Sequence, residues 1–343
     1  PAQTTKARLL ARFLSMNSPR LPRRRTERPT LADVAALCGV STITVSRWFR
    51  EPQRVAPEAS ERIRAAVEQL NYVPNLTAGG LASARSRVVA MVVPNISGPI
   101  FAPTLQALSD GLAEHGLQLL LASSYFSVEA EERAVRAFLG WNPAALVLTS
   151  RFHTAATERL IAGASQPVIE TWDLDPGRAP YQVGFSHRQV GRDSALYLLG
   201  RGYRKIGFVH NSAAGDLSAQ ERYAGYAEVM QAAGHRPWGH NPTAADPMQA
   251  GAQALQTLMA RTRQRPEALI FANDNLACGA ILAAQRSGLS LPQDLAIFGF
   301  GDYAFADKLL PSLSTLRPPA REMGRAAVDI VTALQAGAED VAR

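Results

Sequence analysis

The sequence predicts a small all-α helix-turn-helix headpiece and a hinge, followed by an α/β core of two subdomains with parallel sheets. Three observations carry this reading. A short pattern of two amphipathic helices, with a glycine at the bend between them, occupies Leu31 to Arg50. From Val88 onward, compact apolar runs alternate with amphipathic helical stretches, as buried parallel strands and their crossover helices do. The charge is also split: residues 1 to 28 hold eight basic residues and one acid, whereas residues 88 to 343 are slightly acidic in balance, within a chain of 343 residues and net charge +7.

Thr30-Leu31-Ala32-Asp33 has the spacing of a helix N-cap with an acid three positions on, so the first helix starts there. Apolar residues at Val34, Ala35, Leu37, Val40, Val45, Trp48 and Phe49 fit two brief helices that turn at Gly39. The second presents Ser41, Thr42, Ile43, Thr44, Ser46 and Arg47, a polar and cationic set of the size that fits a DNA major groove. An ordinary helical hairpin fits the same stretch, but the basic segment before it suits phosphate contacts, with Arg23 to Arg25 nearest the helices. Residues 1 to 20 also read as a solvated tail. Pro57 opens a third helix through about Leu70, whose Ile63, Ala66, Val67 and Leu70 form one stripe to close a small core with Val34, Leu37 and Val45. Pro74 ends the unit, and Leu76 to Ser83, with Gly79-Gly80 inside it, reads as a linker or as a hinge that becomes helical only on DNA. The boundaries are a basic arm over 1–28, a headpiece over 29–73, a hinge over 74–86 and a core over 87–343.

In the core, Val88 to Pro94, Leu117 to Ala122, Ala145 to Thr149 and Pro167 to Glu170 read as strands of one unit, with helices around Phe101 to His115 and Val128 to Gly140. Lys205 to His210, Ala268 to Ala272 and Leu295 to Phe300 read as strands of a second, with helices near Ala219 to Ala233, Met248 to Ala260 and Asn275 to Ser287. Ligands of such sheets bind at the carboxyl ends of the strands, here in a cleft between the halves.

Several function classes are disfavoured. No apolar run approaches the ~20 residues that span a bilayer, and residues 1 to 28 lack the apolar segment of a secretory signal, so a cytoplasmic protein without membrane contact is expected. Cys38 and Cys278 read as reduced, buried thiols, with no disulfide framework and no metal site implied. No GxSxG elbow, HExxH pair, phosphate loop or CxxC is present, and Gly299-x-Gly301 lacks the third glycine of a dinucleotide fingerprint. Neither an enzyme nor a cofactor is expected.

Asp33-Val34-Ala35, Gly39-Val40-Ser41, Thr44-Val45-Ser46-Arg47 and Tyr72-Val73-Pro74-Asn75 together resemble the DNA-reading headpiece of the lactose-repressor (LacI/GalR) family of transcription regulators. The resemblance implies that Thr42, Ile43 and Arg47 face base edges, that Tyr72 and Asn75 belong to the DNA-binding set, and that paired Leu81 side chains wedge into the minor groove of a pseudo-palindromic double-stranded operator. Departures are Cys38, the bulky Trp48-Phe49-Arg50, and Gly79-Gly80. Through the core the resemblance runs over Val93-Pro94, Pro99-Ile100-Phe101, Gly202 to Ile206, Arg222 with Gly225-Tyr226, Asn273-Asp274 with Ala277-Cys278-Gly279, Pro311 to Thr315, and Met323-Gly324. It implies a periplasmic-binding-protein-type sensor that crosses between halves near Ser186 and Ser314, giving an N-subdomain of about 87–185 and 315–343 and a C-subdomain of about 186–314. It also implies a homodimer and, because Arg343 falls before the family's usual end, a further strand beyond it.

Matched position by position, the resemblance places Phe101, Asp173, Arg222, Asn273 and Asp274 at an effector pocket. A salt bridge across the cleft is the other reading of Arg222, and a helix N-cap over Leu276 to Gln285 that of Asp274. Gly299-Phe300-Gly301-Asp302 replaces the acidic pair of many sugar-binding members. With Trp141-Asn142, Thr149-x-Arg151-x-His153 and Val183-Gly184-Phe185, it resembles the gluconate-operon repressor subgroup, which adds Arg151, His153, His187 and Asp302 to the pocket. Each histidine alone also reads as a satisfied core or surface residue. The function implied is repression of sugar-acid catabolism genes under control of a small ligand such as gluconate, or a phosphorylated or lactone relative, by release from DNA, with corepression left open. The alternative is a solute-binding sensor of the same core fold that does not bind an operator.

Overall fold

The computed structural model describes residues 28–74, 86–175, 177–178, 181–210, 215–261 and 265–338. Asn75, Gly79, Gly80, Leu81 and Arg23 to Arg25 lie outside the described residues. The chain divides into two compact units, Pro1–Ser83 and Ala84–Arg343.

In the first unit, α1 (Leu31–Cys38), α2 (Thr42–Arg50) and α3 (Pro57–Leu70) are joined by a turn at Gly39 and a short 3-10 segment, Pro52–Arg54. Thr30 and Asp33 form the reciprocal cap at the start of α1: the Asp33 N–H donates to Thr30 Oγ1 at 3.3 Å and the Thr30 N–H to Asp33 Oδ2 at 2.7 Å. Gly39 turns the chain with φ +65, a conformation that glycine adopts without a β-carbon clash. The core holds Val34, Ala35, Cys38, Val45, Val55, Ile63 and Ala66. Leu37, expected inside, is instead 47% exposed. Val34 and Cys38 are one helical turn apart on the inner face, so Cys38 fills the place assigned to Leu37. Trp48 ties α2 to α3, its indole N–H donating to Ser60 Oγ at 2.6 Å, with Phe49 packed edge-on beside it. The bulky Trp48-Phe49 pair, which forms part of the last turn of α2, is thereby explained as packing, whereas Arg50 is exposed.

The second unit contains two five-stranded sheets, all parallel. The first has β1 (Val88–Val93), β2 (Gln118–Ser123), β3 (Ala145–Leu148), β4 (Val168–Asp173) and β5 (Gln182–Phe185) in the order β2-β1-β3-β4-β5. Its helices are α4 (Ala102–Glu114), α5 (Val128–Gly140) and α6 (Ala155–Ala162). Alternation along β1 sends Val89, Met91 and Val93 into one cluster and Ala90 and Val92 into another, so the sheet is covered on both faces. The second half runs α7 (His187–Gly200), β6 (Ile206–Val209), α8 (Leu217–Ala232), β7 (Gly239–His240), α9 (Pro247–Met259), β8 (Ala268–Phe271), α10 (Asp274–Arg286), β9 (Ala296–Phe300) and β10 (Ser314–Leu316), with sheet order β10-β9-β8-β6-β7. The last helix, α11 (Ala320–Gln335), returns to the first half, where the Thr104 hydroxyl donates to the Ala320 carbonyl at 2.7 Å. Because β10 pairs with β9, the chain stays with the second sheet through Leu316, two residues beyond Ser314, near which the crossing is expected from sequence.

Two helix pairs in the second half meet backbone to backbone. A β-carbon at Gly191 of α7 would overlap the Arg222 carbonyl, and one at Gly225 of α8 would overlap the Arg188 carbonyl. Gly251 of α9 and Gly279 of α10 stand in the same relation to the carbonyls of Leu276 and Met248. Both cysteines are buried free thiols. Among the described residues no helix is long and apolar enough to cross a membrane, and no cluster of three or more His, Cys, Asp or Glu is arranged to hold a metal ion.

Candidate functional site

The headpiece offers a short exposed face along α2. Val45 is fully buried and anchors the helix, which leaves Thr42, Ile43 and Arg47 facing outward, with Ile43 67% exposed. Ser41 is the N-cap: its Oγ accepts the Thr44 N–H at 3.1 Å and lies 2.9 Å from Thr44 Oγ1. The hydroxyls of Ser41 and Thr44 are thus engaged with each other, and Ser46 is half-buried. Tyr72 is half-buried against Phe49, with ring centroids 5.9 Å apart.

Side chains of both halves come together where the carboxyl ends of the two sheets meet, the position expected of the cleft. The β4–β5 register sets Asp173 opposite Phe185, and Ser186 then caps α7, so Asp173 of the first half arrives beside His187 of the second. Arg222, on α8, is buried: Nη1 donates to His187 Nδ1 at 2.9 Å, Nη2 donates to the Ala272 carbonyl at 3.0 Å, and the guanidinium lies 4.3 Å over the Phe300 ring. A guanidinium has no acceptor to offer, so Nδ1 of His187 is the unprotonated nitrogen and Nε2 carries the proton, 3.8 Å from Asp173 Oδ1. Burial, then the Arg222 and Arg151 charges, hold His187 well below the usual 6.5, which keeps this imidazole neutral. Burial pushes the Asp173 carboxyl up to about 6, against the opposing pull of Arg151 and Arg222.

Contacts cross the cleft at several points. Ser218 Oγ donates to Asp173 Oδ2 at 3.4 Å, and Arg151 reaches Glu221 at 3.7 Å and Asp173 at 3.9 Å while pairing with Asp175 at 2.9 Å. A chain of rings lines the same region: Phe101 on Trp172 (5.0 Å), Trp172 on Phe185 (6.0 Å), Phe185 on His187 (4.7 Å) and on Phe300 (6.2 Å). Trp172 is buried with φ +74, a left-handed conformation costing on the order of 1–3 kcal/mol for a non-glycine residue. Among the described residues, Nε of Arg222 and Nε1 of Trp172 are buried without a hydrogen-bond partner. A guanidinium edge, a neutral imidazole and flat aromatic faces can together hold a small ligand with several oxygen acceptors and an apolar C–H face.

Comparison with known proteins identifies both units. Residues 30–75 match the family model described as bacterial regulatory proteins, lacI family, and residues 195–343 match the periplasmic binding protein-like domain. The HTH-type transcriptional regulator GntR of Pseudomonas aeruginosa is 36% identical over 318 residues, covering 92% of each chain. The chain belongs to the LacI family of bacterial regulatory proteins. It is therefore a DNA-binding transcriptional regulator with a ligand-binding core. The Escherichia coli regulator IdnR is 30% identical over 308 residues, covering 90% of this chain and 92% of the relative. Among solved structures, a LacI-family regulator from Silicibacter pomeroyi superposes with a TM-score of 0.85 at 30% identity, covering 91% of this chain and 94% of that one. The Lac repressor dimer bound to operator shares the fold, with a TM-score of 0.76 at 24% identity over 91% of this chain and 94% of that one. Relatives of this LacI-family chain are transcriptional regulators, not enzymes.

Of the pocket residues expected from sequence, the structure brings Arg151, Asp173, His187 and Arg222 into one constellation, with Phe101 joined to it through Trp172 and Phe185. His153 is a correction: its side chain is fully buried between Glu131 (2.5 Å) and Glu170 (3.4 Å). Burial alone would depress this imidazole, but the two carboxylates override it and raise the pKa to about 9. The cap of α10 belongs to Asn273, whose Oδ1 accepts the Leu276 N–H at 3.2 Å, and not to Asp274. Asp274 accepts the Tyr303 N–H at 2.9 Å and the Thr315 hydroxyl at 2.7 Å, fastening the end of β9 to β10. A β-carbon at Gly299 would strike the Asp274 carboxylate, which accounts for glycine there. Asp302 pairs with Arg317. Ser218, Glu221 and Trp172 were missed. Ser218 and Glu221 share the cleft-facing start of α8 with Arg222 and were findable from that spacing, whereas the left-handed turn at Trp172 leaves no mark in a tryptophan codon.

Proposed function

We propose that this regulator is a homodimeric repressor of sugar-acid catabolism genes, and that a gluconate-like acid bound in the core cleft releases it from a pseudo-palindromic operator. The observation that carries the ligand class is Arg222, a buried guanidinium with two nitrogens bonded and Nε without an acceptor among the described residues, beside a neutral His187 and over the face of Phe300. A carboxylate supplies the paired acceptors such a group prefers, and the polyol C–H face suits the rings. Arg151, on the facing wall, adds a second cation. On the headpiece, Arg47 and Thr42 are the donors proposed to read base edges, and exposed Ile43 the apolar contact to a thymine methyl. Effector and operator then oppose each other through the population of core states that each prefers. Calorimetry of the full chain with gluconate, its lactone, a phosphorylated sugar acid and neutral hexoses tests the class. Gluconate is expected to bind tightest and to weaken operator retention in a mobility-shift assay. Tighter binding of neutral hexoses refutes the acid; absence of palindromic DNA binding in every ligand state refutes the repressor.

A further inference from the structure

Trp172 departs from the pattern of its own strand. Along β4, Val168 packs with Ala90, Val92, Leu146 and Leu148 on one face of the first sheet, and Ile169 packs with the opposite cluster under α4 and α11. Simple alternation assigns Trp172 to the face of Val168. Instead, with its left-handed backbone, the indole lies with Phe101, Ala320 and Met323, at the end of the ring chain that leads through Phe185 and Phe300 to Arg222. In that position its N–H is buried and has no acceptor among the described residues. Strain and an unsatisfied donor at one residue, next to Asp173 and at the carboxyl end of a strand, mark a functional position and not a packing optimum. Among the described residues Arg222 Nε is a second donor here without an acceptor, so the aromatic wall carries one unused N–H at Trp172 and one at Arg222.

We infer that Trp172 Nε1–H is a specificity-determining donor of the effector site, donating to a ligand oxygen other than the carboxylate held by Arg222. The ligand class is an acid bearing a hydroxyl several bonds from its carboxylate, and the inference rests on the sugar-acid reading above. Binding removes the unsatisfied state of both donors at once, so a ligand with only one of the two oxygens leaves one N–H buried and unpaired. That is a rule for discrimination: short acids and simple carboxylates are rejected although Arg222 can grip them.

The test is calorimetric titration of the full chain and of Trp172→Phe with gluconate, with gluconate analogues each lacking one hydroxyl, with acetate and with neutral hexoses. Phenylalanine keeps the ring contacts to Phe101 and Phe185 and deletes the N–H. Gluconate affinity is expected to fall at least about tenfold in Trp172→Phe. One deoxy analogue is expected to bind the parent chain correspondingly weakly while distinguishing little between parent and variant, the signature of a pairwise contact. Incorporation of β-(3-benzothienyl)alanine at position 172, which replaces N–H by sulfur at nearly constant shape, should reproduce the loss and serves if Trp172→Phe does not fold. Equal gluconate affinity in the parent chain and the variants overturns the inference while leaving the sugar-acid reading intact; an N–H directed at the Phe101 ring would give that result with lowered thermal stability. Preferential binding of a neutral hexose overturns the acid class, and the parent-to-variant ratio for that hexose then decides Trp172. No binding of any polyol by the parent chain overturns both.

Discussion

Asp173 is the group whose replacement should stabilise the molecule. It is 2% exposed, and burial raises its carboxyl from the ordinary 3.8 to about 6 in spite of Arg151 and Arg222 nearby. A raised acid binds its proton more tightly in the folded chain than in the unfolded one. Stability from this group is therefore intact below pH 3.8, declines as pH rises and is lost above about 6. At about 1.36 kcal/mol per pH unit between the two values, the ionised carboxylate costs on the order of 3 kcal/mol at neutral pH. Asp173→Asn keeps the shape and the acceptor for Ser218 while removing the charge. Its advantage over the parent chain should grow by on the order of 1 kcal/mol between pH 5 and pH 7.5, or roughly 2 to 4 °C in the unfolding midpoint of a domain this size. Thermal unfolding of both proteins at the two pH values measures the change directly, and any constant offset from the substitution itself cancels. A difference that stays flat with pH, or that turns against asparagine at pH 7.5, would refute the account of Asp173 as a net burden held in place between the two halves.

Four further outcomes are expected. His153 contributes with the opposite origin: held up to about 9 by Glu131 and Glu170, its share of stability is complete below 6.5 and is lost as pH rises through about 9, so His153→Gln should narrow its deficit against the parent chain between pH 6.5 and pH 9.5 in urea unfolding. Gly225→Ala should drive α7 and α8 apart and destabilise the core by at least about 2 kcal/mol, whereas Gly234→Asn, at an open left-handed turn, should be tolerated; comparison of their denaturation midpoints checks this. Trp48→Phe should lower headpiece stability by about 1 kcal/mol by deleting the 2.6 Å bond to Ser60, visible in amide exchange of α3. Arg47→Ala should weaken specific operator binding by about 1–3 kcal/mol in a mobility-shift titration, with effector affinity of the core unchanged.

Strand positions in the core were legible because parallel strands buried on both faces are written as continuous apolar runs, as in Val88 to Val93 and Ala268 to Phe271. β5 was not, since Gln182 to Phe185 is an edge strand of half-buried residues that no apolar run announces. The helices α7 and α11 were overlooked for a related reason: each begins at a crossing, and α7 mixes polar residues into its inner face because part of that face is the cleft. Arg222 packs against His187 and Phe300 where the halves meet, whereas residue type alone did not reveal that Asp274 joins β9 to β10 or that His153 sits between two carboxylates. Carboxylates and imidazoles that staple loops use the same chemistry as those that hold ligands, and only the partners distinguish them, here Tyr303 and Thr315 for Asp274, and Glu131 and Glu170 for His153.

The contact of Gly191 with the Arg222 carbonyl joins two levels of the molecule. The side chain of Arg222 stands in the cleft, and its own backbone oxygen bears on α7 five residues after the chain leaves the first half at Ser186. No compressible side chain lies between the two helices at that point, so α7 and α8 form a stiff lever whose short arm is the arginine. The cleft residue Arg222 and the crossing at Ser186 are therefore held at a fixed spacing by backbone packed on backbone, with no flexible side chain between them to take up a change.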